Sequence, residues 1–341
     1  MTNHLYYGDN LQILREHIED ESVDLIYLDP PFKSNQDYNV LFTEQDGTRA
    51  AAQVLAFEDT WEWNQAAVAA YESVVEAGGQ VSLAMQAFRR LLGGNDMLAY
   101  LAMMAPRLIE LRRVLRNTGS IYLHCDSTAS HYLKLLMDAV FGLRNFRNEI
   151  FWHYYNKMHD RRKKLFPRAT DTILFYVKDV DSDFTFHQLT EKLDEPVRRL
   201  ARRKVGGRMV NVKDEEGHVV YYMRDERTID NVWRIPTLQP ASTERLGYPT
   251  QKPSALLQHI IEASSDEGDV VLDPFCGSGT TIYTAEKLRR EWIGIDITHL
   301  AIRLIRHRLH KEYQGGVSYE VISEAVTVYD AEELAQNPDG S

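Results

Sequence analysis

Apolar residues follow two alternating patterns along the chain. Short continuous runs of strand length are followed by segments with apolar positions three and four apart, the spacing of one helix face. Residues 4–7 (HLYY) predict a strand and 10–18 (NLQILREHI) a helix. Residues 23–28 (VDLIYL) predict a buried strand stopped by Asp29-Pro30-Pro31. Paired prolines neither extend a central strand nor enter a helix interior, so the chain must turn there. A polar loop is expected over 33–41, one helical stretch over 66–92 closed by Gly93-Gly94, and a helix over 96–115 ended by Asn117-Thr118-Gly119. A strand at 120–124, a helix at 128–141 and aromatic strands at 149–155 and 171–178 continue the series. The pattern dissolves into a charged, turn-rich region from about 180 to 235. It returns as helix 253–264, strand 270–272, helix 280–289, strand 292–295 and helix 299–310. Strands alternating with helices predict a parallel sheet with right-handed crossovers, a doubly wound three-layer α/β fold.

Charge changes this picture more than composition does. The 341 residues are 44% hydrophobic and 26% charged, an ordinary globular balance, and no run reaches the ~20 apolar residues of a membrane span. The two cysteines, Cys125 and Cys276, and the absence of a leader pattern at the N-terminus suggest a soluble, cytoplasmic protein. The twelve histidines show no paired metal spacing, so no metal is expected. The net charge of −11 is concentrated in 44–96 (eight acids, three bases) and 312–341 (seven acids, no Lys or Arg). Strongly basic stretches remain elsewhere. Residues 144–168 hold eight bases against two acids, among them Arg161, Arg162, Lys163 and Lys164. Residues 198–208 hold six bases and no acid, among them Arg198, Arg199, Arg202, Arg203 and Lys204. Such clusters serve either as solvated faces or as phosphate-binding footprints.

The most informative stretch is 270–296, VVLDPFCGSGTTIYTAEKLRREWIGID. An apolar strand feeds a loop with Gly277 and Gly279 that opens a helix, where close backbone approach and unpaired N–H groups suit a ligand. Asp296 ends the next strand, placing a carboxylate where ribose hydroxyls could donate. A dinucleotide fingerprint lacks its third glycine here, that position being Ile282, and no phosphate-loop Gly-Lys-Ser/Thr follows. The acidic Asp273 beside the loop favours a cationic ligand, and S-adenosylmethionine combines a sulfonium, an ammonium and a ribose.

Asp29-Pro30-Pro31-Phe32 stands at the carboxyl end of a buried strand. The Asp29 carboxylate and the Pro30 carbonyl could accept the two hydrogens of a nucleobase amine and favour tetrahedral nitrogen, its lone pair aimed at an electrophilic methyl. Phe32 would stack on a base swung out of the duplex. Methylation at cytosine C5 needs a thiolate, usually in a Pro-Cys pair, and neither cysteine has that setting. The aromatic run Phe151-Trp152-His153-Tyr154-Tyr155 packs a core on alternate residues, with Tyr154 or Trp152 a candidate for the base pocket.

Together, Asp29-Pro-Pro-Phe32 and Asp273-Pro-Phe-Cys-Gly-Ser-Gly279 resemble the S-adenosylmethionine-dependent amino-methyltransferases of DNA. The catalytic turn precedes the cofactor loop, as in their circularly permuted beta class. Gly8-Asp9-Asn10, residues 117–126 (NTGSIYLHCD) and Tyr248-Pro-Thr-Gln-Lys-Pro253 match as well. Residues 57–61 (FEDTW) and 95–100 (NDMLAY) are similar to type III modification subunits and their solitary relatives. The resemblance covers about 4–178 and 230–310. It implies a Rossmann-like three-layer sheet, mostly parallel with one reversed strand. It divides the chain into a catalytic half (1–43 and 97–178), an acidic helical insertion (44–96), a target-recognition region (179–235), a cofactor half (236–312) and an acidic extension (313–341).

By position, the resemblance also implies that Asp273, Phe275, Cys276, Gly277, Ser278, Gly279, Thr280 and Thr281 line the methionine and ribose of the cofactor. Asp9 lies near its adenine, and Thr250 and Lys252 contact it from the preceding segment. The family's turn more often ends in Tyr; Phe32 keeps the stacking face and loses a hydroxyl. The implied partner is double-stranded DNA, with a homodimer and a companion restriction nuclease both compatible. Asp at the first position of the turn leans toward adenine N6, and cytosine N4 poses the same chemical problem. A catalytically silent DNA-binding subunit is the third reading, and it predicts loss of motifs that are intact here.

Overall fold

Runs of Val, Ile, Leu and Tyr buried on both faces demand a sheet covered by helices on each side. The computed structural model describes residues 3–31, 62–157, 164, 166–248 and 250–323. The first part of the chain forms β1 (Asn3–Tyr7), α1 (Asn10–His17), β2 (Val23–Leu28), α2 (Gln65–Glu76), α3 (Gly79–Leu92), α4 (Asp96–Val114) and β3 (Leu115–Cys125). Then follow α5 (Ser130–Phe141), β4 (Phe146–His153) and β5 (Thr170–Val177). Two small ribbons, β6 (Thr190–Leu200) with β9 (Tyr221–Thr228) and β7 (Arg202–Val205) with β8 (Arg208–Asn211), precede β10 (Val232–Trp233). The last part comprises α6 (Ser254–Ser264), β11 (Val270–Asp273), α7 (Thr280–Lys287), β12 (Glu291–Asp296), α8 (His299–Tyr313) and β13 (Tyr319–Ser323).

Nine of these strands form one sheet in the order β10-β4-β5-β3-β2-β11-β12-β1-β13. Neighbours pair in parallel except at β5, which is antiparallel to both β3 and β4. This is the mostly parallel sheet with one reversed strand that the resemblance implies. Successive side chains alternate between two cores. Val23, Ile26 and Leu28 face the layer of α1 to α5, whereas Leu25 and Tyr27 face the layer of α6 to α8.

β2 and β11 lie side by side, with Val271 opposite Leu25 and Leu272 opposite Ile26. The helices after β2 pack on one face and the helix after β11 on the other. A crevice opens between adjacent strand ends where connections diverge in this way. Asp29 and Asp273 stand at its two sides.

Some expected boundaries move for definable reasons. The helical stretch 66–92 breaks into α2 and α3, because Gly78 and Gly79 adopt φ of +74° and +75°. No turn separates α4 from β3: the chain passes from Val114 straight into a strand that includes Asn117-Thr118-Gly119. Gly119 answers a close approach instead, since a Cβ there would lie 2.6 Å from Leu115 Cδ1 and 2.8 Å from the Asp24 carbonyl. Two edge strands also escape the sequence pattern, β10 in the charged region and β13 in the acidic extension.

A candidate active site at the carboxyl ends of β2 and β11

β2 is sealed by apolar neighbours until Asp29, where the prolines force the backbone out of the sheet. The Asp29 side chain is 26% exposed, open enough to meet a ligand and enclosed enough to keep its charge effective. Its Oδ2 accepts from Lys252 Nζ, which also donates to the Thr250 carbonyl at 3.4 Å. No described group donates to Asp29 Oδ1. Pro30 is buried and Pro31 half-buried; Phe32, the expected stacking ring, lies outside the described residues.

The glycine loop is wired by two acids. Asp273 ends β11 fully buried, accepting from the Phe275 backbone N–H at 3.0 Å and from Thr281 Oγ1 at 2.5 Å. Burial, with Asp29 and Asp296 nearby, pushes its carboxyl up to about 7 against the pull of those hydrogen bonds. Asp296, at the end of β12, accepts from the Gly277 N–H at 2.8 Å and from the Thr298 N–H and Oγ1 at 2.8 and 2.7 Å. Desolvation raises its carboxyl too, with the hydrogen bonds from Thr298, Gly277 and Ile297 opposing. Gly279 caps α7 at φ +71°, and a Cβ on it would lie 2.5 Å from Ile305 Cγ1. Only glycine satisfies both the left-handed backbone and that packing.

A cleft beside this loop is lined by Gly8, Asp9, Asn10, Arg107, Pro274, Phe275, Asp296 and Ile297. Asp9 caps α1 through the Leu11 N–H at 2.7 Å, and both its oxygens lie 3.0 Å from Arg107 Nη2. Arg107 Nε donates to Asn10 Oδ1 at 2.6 Å, and Asn10 Nδ2 to the Pro274 carbonyl at 2.7 Å. The start of α1 is thereby bolted to the cofactor loop. Of the predicted cofactor residues, Asp9, Phe275 and Asp296 reach this cleft. Cys276, Ser278, Thr280 and Thr281 are buried and stand outside its lining, and Lys252 turns to Asp29 instead. Arg107 is a functional candidate the sequence reading missed. Its only signal is a cation within the apolar stretch 98–111 of α4.

Behind the Asp-Pro-Pro turn lies a second set that the sequence did not connect. Tyr27 Oη and His124 Nδ1 share a hydrogen bond of 2.9 Å, and His124 Nε2 lies 3.5 Å from Asp171 Oδ2. Tyr154 Oη donates to Asp171 Oδ1 at 3.2 Å. Burial would raise the Asp171 carboxyl, yet His124, Lys252 and Tyr154 hold it below the ordinary carboxylate range. Trp152 and Tyr154 are both buried, stacked edge-on to each other and, for Trp152, on His124. They brace this network, whereas Tyr155 is the exposed ring of the run. Burial and the acids nearby push both thiols, Cys125 and Cys276, well above their ordinary range. Neither is poised as a nucleophile.

The basic cluster falls on the ribbons. Arg198 and Arg199 lie on β6, and Arg202, Arg203 and Lys204 on β7, all exposed. The Arg198 guanidinium sits 3.9 Å over the Tyr221 ring. Lys164 is exposed; Arg161, Arg162 and Lys163 lie outside the described residues.

Fold and site together define an α/β methyltransferase that takes its methyl group from S-adenosylmethionine, and the residues around the cleft fit that donor. The chain belongs to the N6/N4 DNA methylase family, whose model matches residues 23–307. It is 28% identical over 300 residues to the type II methyltransferase M.HpaI of Haemophilus parainfluenzae, covering 88% of this chain and 72% of that one. It is 30% identical over 229 residues to the DNA adenine methyltransferase YhdJ of Escherichia coli K12, covering 67% and 68%. TTHA0409 of Thermus thermophilus, solved with S-adenosyl-L-methionine, shares the fold at a TM-score of 0.51 and 16% identity, covering 95% of this chain and 100% of that one. Among the described residues no helix is long and apolar enough to cross a membrane.

Proposed function

We propose that this chain methylates N6 of adenine in double-stranded DNA, acting on a base swung out of the helix. One observation carries the reading: a half-buried Asp29 with a single anchored oxygen, on the strand end next to the glycine loop. Two acceptors, Asp29 Oδ1 and the Pro30 carbonyl, hold the amine hydrogens and draw the nitrogen lone pair out of conjugation. Bound in the cleft, the donor supplies an electrophilic methyl group on sulfur. Asp9 and Asp296 hold its nucleoside end, and the loop from Asp273 to Thr281 shapes the rest. The reading is supported by the adenine specificity in the name of the Escherichia coli relative. Incubation with methyl-labelled S-adenosylmethionine and mixed-sequence duplex DNA, followed by nucleoside mass spectrometry, tests it. N6-methyladenine is expected. N4-methylcytosine would keep the chemistry and replace the base, and no labelled base would overturn the proposal.

The partner in this reading is duplex DNA in the cytoplasm, with phosphates gripped by Lys164 and the ribbon bases. Phosphate contacts add affinity without sequence information and release counterions. Replacing Arg202, Arg203 and Lys204 with Ala should weaken binding evenly across sequences. It should also flatten the slope of log affinity against log salt by about 2.7, near 0.9 per contact. An unchanged slope would remove these residues from the interface. The reading admits a homodimer and a companion nuclease, the second supported by 25% identity to the Mod subunit of the type III restriction-modification enzyme StyLTI of Salmonella typhimurium. Sedimentation of the purified chain decides the first.

A further inference from the structure

Lys252 reaches the site from the segment before α6 and makes contacts on both sides of the crevice. Its ammonium donates to Asp29 Oδ2, while its carbonyl accepts from Thr280 Oγ1 at 3.2 Å. Thr280 is the first residue of α7, the helix that the cofactor loop opens. One residue therefore joins the catalytic turn to the start of the cofactor helix. Among the described residues, Tyr27, Tyr100, Cys125 and Asp273 feel the charge of Asp29, and His124 and Asp171 lie behind Tyr27. Among the described residues, Lys252 is the cation that donates to Asp29. A carboxylate needs a directional, charge-assisted donor to stay in one rotamer. Lys252 supplies that donor at Oδ2, and no described group donates to Oδ1.

We propose that Lys252 is a positioning residue for methyl transfer: it anchors one oxygen of Asp29 so that the other faces the target amine. The inference rests on the amine-methylation reading and deepens it. It differs from the role implied by family position, in which Lys252 serves the cofactor. An orienting residue acts on the transfer step, because displacing a reacting group by about 1 Å can cost on the order of a hundredfold. A cofactor contact acts on cofactor affinity.

The Lys252→Met and Lys252→Arg variants separate the two roles, measured at saturating S-adenosylmethionine with duplex DNA. Lys252→Met should lower kcat about a hundredfold, with calorimetric cofactor affinity changed less than about threefold (under ~0.7 kcal/mol). Lys252→Arg, which keeps a cationic donor, should restore part of kcat. A variant with normal kcat and weakened cofactor binding would overturn the proposal and return Lys252 to the cofactor. An equal kcat loss in both variants would also overturn it, marking a merely structural contact. The wild-type chain in the same assay reports separately on amine methylation: if it labels no base, that reading falls and this one with it.

Discussion

Asp29→Ala should lose methyl transfer by about a thousandfold or more, the scale on which a group aimed at the developing charge of a reacting atom acts. Binding of S-adenosylmethionine should be nearly unchanged, because the described bonds of the cofactor loop run to Asp273 and Asp296 and none to Asp29. The substitution also strips Lys252 of its acceptor. That side chain is 15% exposed, so part of the cost appears as a modest loss of stability, which thermal denaturation would register. Asp29→Asn keeps the shape and one acceptor oxygen while removing the charge, and should fall between Ala and wild type. Single-turnover kinetics at saturating donor measure the effect directly. Transfer at the wild-type rate in Asp29→Ala would show that the turn does not hold the amine.

How much of this was legible in the sequence follows from where each signal resides. The glycine loop, the Asp-Pro-Pro turn and Asp296 are local: a strand-length run, a breaker and an acid declare themselves within a few residues. Their convergence follows from topology, because parallel strands put every such turn at the same edge of the sheet. The reversed β5 entered through the resemblance, since an apolar strand carries no mark of its direction. The partners that hold the site together are distant instead. Arg107 meets Asp9 across 98 positions, Lys252 meets Asp29 across 223, and Asn10 meets Pro274 across 264. No periodicity encodes such pairs. His124 and Asp171 likewise sit in ordinary strand runs and become a network only when β3 and β5 pair. The break at Gly78-Gly79 was written in the sequence as two successive glycines, but helical spacing on both sides outweighed it.

Asp296→Ala carries the second large effect, and the structure enlarges it beyond the cofactor. From the sequence Asp296 is a ribose acceptor, whose loss should act on affinity. In the folded chain the same carboxylate already receives the Gly277 N–H and both donors of Thr298, so it also fixes the loop between β11 and α7. Removing it leaves those donors unsatisfied. The side chain borders the open cleft, where water replaces part of what is lost, so the stability cost should be about 1–3 kcal/mol, less than for three sealed donors. The affinity cost should be larger. Two hydroxyls lose a charged acceptor, each bond worth about 1.5–3 kcal/mol, and the Gly277 N–H loses its aim. Calorimetric titration with S-adenosylmethionine should therefore show at least about a hundredfold weaker binding. Thermal denaturation without ligand should show the lowered midpoint. The two measurements fail independently: unchanged affinity removes the ribose role, and an unchanged midpoint removes the loop role. If both effects appear together, one acid ending one strand builds the cofactor loop and grips what the loop is built for.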